Sequence, residues 1–184
     1  MPDTKKFQFS LKHLLIGIII FCALTYGVVY LHEPHLIEDG RYQITVDYSR
    51  TLEEMIAAGK YDWVHPDITS SNFPIDQSKS GSTENLEAVI VHLDKYVKDT
   101  EIVLKLMDKN GLRPATLPEL LALGEQYPEF QRKYWIYALG SRWQNSNGHR
   151  GVVVLLGDLA YRGPDLDSRQ CWWFRSSRFL AFRK

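Results

Sequence analysis

Arg178-Phe179-Leu180-Ala181-Phe182-Arg183 is the stretch on which the fold turns. Successive side chains on a strand point to opposite faces, so Phe179 and Ala181 share one face and Leu180 and Phe182 the other. Both faces are apolar. An edge strand leaves a backbone edge, and commonly a face, in water. The pattern therefore predicts an interior strand. The neighbour expected for it is Tyr42–Tyr48, where Tyr42, Ile44, Val46 and Tyr48 alternate with polar residues.

Working back from that strand, the chain alternates between short apolar runs and turn chemistry. Tyr134–Leu139, Val152–Leu156 and Gln170–Phe174 read as strands, with residues 145–151, Gly157-Asp158 and Arg162-Gly163-Pro164-Asp165 as turns between them. Upstream, Thr116 opens a helix with Pro118 in its first turn, bounded by Gly124 and Pro128. Thr100 caps another helix through Met107, which Asn110-Gly111 ends. Leu86–Leu93 is a strand with an apolar centre. Thr51 and Glu54 form a capping box for a helix that stops at Gly59. The Ser-, Pro-, Asp- and Asn-rich segment after it is a loop whose second half, about residues 76–83, is expected to be mobile. The predicted fold class is α+β: one domain over residues 41–184, with a few helices and a small antiparallel-rich sheet.

Ahead of that domain, Leu14–Leu31 holds 18 residues with neither charge nor proline. As a helix it would measure about 27 Å, close to the thickness of a bilayer's hydrocarbon core. Residues 13–31 are thus expected to form a transmembrane helix, an uncleaved signal anchor, with a linker at 32–40. A cleaved signal peptide is the competing reading, against which stand the length of the run and its bulky exit, Val29-Tyr30-Leu31. Lys5, Lys6 and Lys12 precede the run and Glu33, Glu38 and Asp39 follow it. The positive-inside rule then puts residues 1–12 in the cytoplasm and the domain outside, a single-pass protein of the cell membrane. Ala23 and Gly27 have the spacing of a helix-dimer contact, and Cys22 reads as a small soft residue within the run.

Formal net charge is zero, with 22 Lys+Arg against 22 Asp+Glu, which excludes a uniformly basic nucleic-acid binder. The balance is uneven along the chain. Residues 13–140 hold 11 basic against 18 acidic groups, a charge of −7, and residues 141–184 hold 8 against 3, a charge of +5. Two cysteines exclude a disulfide scaffold and a multi-thiolate zinc site. Cys171 reads as an inert core thiol. No nucleophile elbow, phosphate-binding loop or metal-ligand motif is present. His32 and His35 lack a carboxylate ring, the proline of His65-Pro66-Asp67 holds those two in a turn, and His92 reads as a sheet-face histidine. No catalytic residue, metal or cofactor is expected.

The informative chemistry lies in Arg169-Gln170-Cys171-Trp172-Trp173-Phe174-Arg175. Trp172 and Trp173 point to opposite sides of a strand, so either the strand is covered on both faces or one indole is exposed. Tryptophan beside arginine is the composition of a binding hot spot. Arg142, Trp143, Arg169, Trp172, Trp173 and Arg175 are accordingly the candidate ligand-binding residues.

Leu112-Arg113-Pro114-Ala115-Thr116 with Glu119-Leu120-Leu121, Ala138-Leu139-Gly140-Ser141, Tyr61-Asp62-Trp63-Val64, Asp67-Ile68-Thr69, Asn72-Phe73-Pro74 and the closing residues 178–184 resemble a group of uncharacterised bacterial membrane-anchored proteins. That group implies no activity. The same helix start and terminal strand are also similar, more distantly, to C-type-lectin-like domains of the sulfatase-modifying and retroelement variable-protein kinds, which implies a lectin-like fold. The paired-cysteine copper site and the lectin calcium tripeptides of those domains are missing here. The function expected is a membrane-anchored extracytoplasmic domain that binds a protein or glycan ligand, with no nucleic-acid partner. The alternatives are an assembly subunit of an envelope complex, or an envelope hydrolase using Asp62, Asp67 or Glu84.

Overall fold

The computed structural model describes residues 33–144, 148, 150–168 and 172–184. Residues 34–184 form one unit. In chain order it runs β1 (Leu36–Asp47), α1 (Leu52–Ala58), β2 (Thr83–Leu93), α2 (Thr100–Lys109), β3 (Leu112–Pro114), α3 (Leu117–Gln126), α4 (Phe130–Lys133), β4 (Ile136–Gln144), β5 (Arg150–Gly157), β6 (Arg162–Asp167) and β7 (Arg178–Arg183).

β7 is an interior strand of a seven-stranded sheet ordered β1-β2-β7-β4-β5-β6, with β3 also paired to β7. One side of it is held by β2, from Ala88 opposite Phe182 to His92 opposite Arg178. The other side is shared by β4, parallel at Ile136 and Tyr137, and β3, antiparallel from Leu112 to Pro114. The neighbour expected from the sequence, β1, stands one place further out, against β2. The reason is visible in β2: Ala88, Val89, Ile90 and Val91 are all buried, so this strand too needs neighbours on both edges and a cover on both faces. β1 has a polar outward row and takes the edge.

The two faces of the sheet carry separate cores. Ile44, Val46, Ile90, Ala138, Leu155, Leu180 and Phe182 pack under α1, α3 and the loop through Ile68 and Phe73. Val89, Val91, Tyr137, Val154, Phe179 and Ala181 pack on the opposite face under Val103 and Met107 of α2 and under Trp173. The alternation read from residues 179–182 is what divides them.

Three expectations about this architecture are corrected. The sequence predicts a transmembrane helix followed by a few helices and a small antiparallel-rich sheet, and the resemblance implies a lectin-like fold. Instead the domain is sheet-rich, a single mixed sheet spans it, and among the described residues no helix is long and apolar enough to cross a membrane. Residues 1–32, with the run 13–31, Cys22, Ala23, Gly27 and His32, lie outside the described residues. Gln170–Phe174 is not a central strand: only Trp173 pairs, in an isolated bridge to Val97, and residues 169–171 lie outside the described residues. Arg162-Gly163-Pro164-Asp165 is not a turn but most of β6. Proline is tolerated there because its missing donor faces no ladder partner, and the outer edge is covered by residues 62–65 through Asp62 N to Arg162 O (2.9 Å) and His65 N to Pro164 O (3.1 Å).

Of the three expected helix caps, Thr100 is corrected: Asp99 caps α2, its side chain accepting from Glu101 N at 2.9 Å, and Thr100 is the first helical residue, while the caps at Thr51 and Thr116 stand where the sequence puts them. Thr51 N donates to Glu54 Oε2 (2.7 Å) and Glu54 N to Thr51 Oγ1 (3.2 Å). Thr116 N donates to Glu119 Oε2 (2.7 Å), and Leu117 N is taken up by Ser141 Oγ (2.8 Å). α3 nevertheless runs through Gly124 to Gln126. That glycine serves packing rather than termination, since a Cβ there would meet the Tyr61 hydroxyl at 2.2 Å.

Candidate functional site

The predicted binding residues do not form one surface. Trp173 is 1% exposed, and its ring lies between Tyr137 (centroids 4.9 Å apart) and Phe179 (5.1 Å). Its indole donates to Thr100 Oγ1 at 3.1 Å. This satisfies the one polar atom that burial of the ring would otherwise strand. Trp172, the next residue, is 55% exposed. Trp143 is half-buried near the far end of β4, seven residues beyond Ile136, and so roughly 20 Å along the strand. Arg142 reaches over the opposite face to pair with Glu101 at 2.9 Å. Arg175 is exposed beside Phe174, and Arg169 lies outside the described residues.

What gathers at one place is a set of aromatics of which the sequence reading had only Trp172. Tyr96, Tyr134, Trp135 and Phe174 are all exposed beside it. Tyr96 holds Trp172 at 5.7 Å and Phe174 at 5.6 Å between ring centroids. Between the rings of Trp172 and Phe174 and those of Tyr134 and Trp135 opens a groove of about 460 Å3, lined also by Tyr137, Asp167 and Arg178. The Tyr137 hydroxyl donates to Asp167 Oδ2 at 3.0 Å. Arg178 carries its guanidinium 4.7 Å from the centre of the Tyr134 ring. The same guanidinium stands 2.5 Å from Asp39 Oδ2, while His92 Nδ1 is 2.9 Å from Asp39 Oδ1. Neither contact has hydrogen-bond alignment. The C-terminal end of β2, the loop after it and the start of β4 all lie here, which is how residues far apart in sequence converge.

A second cleft, also about 460 Å3, lies across the other face beside α3. Glu119 is 1% exposed and receives both Arg113 Nη2 (2.7 Å) and Arg113 Nη1 (3.1 Å). Burial opposes the charge of Arg113, but Glu119 outweighs it and raises the guanidinium above its ordinary value. Tyr48, 3.5 Å from Glu119, has its hydroxyl pushed up to about 12, by burial first and then by the Glu119 charge. Lys79 lies over the Tyr48 ring and pairs with Glu84 at 2.9 Å. Every charge in this chain of groups has its partner, so it holds β1, β3 and α3 together rather than awaiting a ligand.

The carboxylates considered for hydrolysis are dispersed. Asp62 Oδ2 accepts from Arg162 N at 2.9 Å, Glu84 pairs with Lys79, and the Asp67 amide donates to His65 Nδ1 at 3.1 Å. Among the described residues no three His, Cys, Asp or Glu side chains are grouped to hold a metal ion. A scan against protein-family models, a search of curated proteins and a search of solved structures each found no match. The functional reading therefore rests on the side chains alone.

Proposed function

We propose that residues 34–184 are a binding domain whose contact surface is the aromatic cluster of Tyr96, Tyr134, Trp135, Trp172 and Phe174. The observation that carries this reading is their exposure in one place. Large exposed apolar patches on a folded domain mark interaction sites, and tryptophan and tyrosine contribute most per residue at such contacts. The uncharged run Leu14–Leu31 and the charges that flank it support a location at a membrane, with the domain on the outer side.

The test places a photoreactive benzoylphenylalanine at residue 174 of the full chain in cells, and at Ile102, an exposed position on α2, as the control. Mass spectrometry should find adducts on the peptide containing residue 174 and none at 102. An unmodified peptide at 174 would remove the reading. For the location, a reporter active only outside the cytoplasm, fused after Lys184, should be active.

A further inference from the structure

The aromatic cluster stands at the end of the sheet where the chain enters the domain. β1 begins at Leu36, opposite Leu93. Asp94 N donates to His35 O (3.0 Å) and His35 N to Asp94 Oδ1 (2.8 Å), and Tyr96 follows two residues on. Arg178 is opposite both His92 and Ile136, which brings Tyr134 and Trp135 to the same end. The turn between β5 and β6 projects there too, because Leu155 is opposite Ile136 and Arg132 Nη1 donates to Asp158 O at 2.7 Å. At its tip Leu159 is 99% exposed, with nothing in the domain to cover it.

The four residues between Leu31, the last of the uncharged run, and Leu36 let those two Cα atoms stand no more than about 18 Å apart even when fully extended. The exposed rings thus lie on the part of the domain that is shortest-tethered to the most apolar sequence in the chain. Basic groups stand among them within reach of a headgroup layer. Lys98, Lys133 and Arg175 are exposed and Lys95 is half-exposed. Carboxylates are interspersed with them, Asp94 bonded to His35 N, Asp99 to the Glu101 amide, Asp158 to the Ala160 and Tyr161 amides and Asp167 to Tyr137, and these neutral donors leave their charge in place.

We propose that this face docks on a lipid surface, with Tyr96, Tyr134, Trp135, Trp172, Phe174 and Leu159 seated at the headgroup level and the cations against anionic headgroups. Amphipathic rings favour that interface, and basic groups near it are attracted to anionic lipid. The inference rests on the membrane location proposed above. A protein or glycan would also bury these rings, but only lipid is tied to this end of the domain by the path of the chain.

The test uses the full chain, mixed with vesicles of phosphatidylethanolamine and phosphatidylglycerol carrying brominated acyl chains. Flotation reads whether the chain associates at all, and tryptophan emission reads which rings are near lipid. Brominated lipid should quench the wild-type emission. The quenching should be lost in the W135F/W172F variant and kept in W143F, since Trp143 lies near the far end of β4. A chain that does not float overturns the membrane location and this proposal with it. A chain that floats with equal quenching in W135F/W172F overturns the docking face alone. Photoadducts on protein or glycan at residue 174 without such quenching would keep the binding reading and replace lipid as the partner.

Discussion

Trp172 and Trp173 are adjacent in sequence and opposite in environment: one indole is 55% exposed, the other 1% exposed and hydrogen-bonded to Thr100. The bridge between Trp173 and Val97 fixes the alternation, because it makes Trp173 the residue that faces the sheet.

The two tryptophans should therefore separate stability from surface chemistry. Trp173→Ala removes the ring between Tyr137 and Phe179 and its bond to Thr100, and should cost about 3–5 kcal/mol. Trp172→Ala should stay within about 0.5 kcal/mol of wild type. Denaturant unfolding of the two variants checks this, and equal losses would contradict the assignment.

β7 makes a second prediction. Phe179 and Phe182 are buried in different cores, one on each face of the sheet. Either Phe→Ala substitution should cost about 3–5 kcal/mol, and the two losses should be nearly additive because the cavities do not touch. Deleting residues 178–184 should leave the domain unfolded or degraded. A soluble truncated domain with an unchanged melting temperature would refute the interior placement.

How much of this could be read in the sequence follows from what each feature depends on. The residues of β7 declare an interior strand because period-2 alternation and burial on both faces are local properties. The caps at Thr51 and Thr116 are local too. The partner of β7 is not, since β1 and β2 both fit beside it until the apolar row of β2 is weighed against the polar row of β1. β6 is hidden by Gly163 and Pro164, which look like a turn unless the covering segment of residues 62–65 is known. The aromatic groove was hidden for the same reason: Tyr96, Tyr134 and Phe174 come from three separate segments. Only Trp172, set beside a second tryptophan and an arginine, announced itself.

Close approach at β6 gives a sharp structural test. A Cβ on Gly163 would lie 1.9 Å from the Trp63 carbonyl oxygen. The backbone of the covering segment cannot swing aside as a side chain would, so Gly163→Ala should cost about 1–3 kcal/mol. Amide exchange at Asp62 and His65 should speed up in the variant, because those amides hold the segment to β6. Unchanged exchange would mean that the segment is not seated as described.

Alkaline pH should weaken the domain through Tyr48. Its folded-state value of about 12 lies above the ordinary 10.0, so the neutral hydroxyl is favoured by folding. A group with a raised folded pKa contributes its full stabilisation below the unfolded value and loses it as pH rises through the folded one. Stability should thus decline from about pH 10 to about pH 12. The buried Tyr61 hydroxyl, also raised by burial from the same ordinary value, adds to the decline throughout and carries it further. Tyr48→Phe should flatten the first part of the curve. Identical alkaline profiles for variant and wild type would rule out this origin.

The Arg113–Glu119 pair gives the last test, because its two halves are unequally exposed. Glu119 is 1% exposed, while a third of the Arg113 side chain remains accessible. Removing the arginine leaves a buried carboxylate with only the Thr116 amide and the distant Tyr48 hydroxyl as donors. Arg113→Met should therefore cost about 3–5 kcal/mol, the penalty of an uncompensated buried charge. Glu119→Gln should cost less, since the amide keeps an acceptor for Thr116 N and the arginine can turn toward solvent. The double variant should lose less than the two single losses combined, by about 1–3 kcal/mol, the coupling expected for residues in direct contact. Thermodynamic cycles from denaturant unfolding supply the measurement. Strict additivity would mean that the pair is not formed, and that Glu119 is held by its helix cap alone.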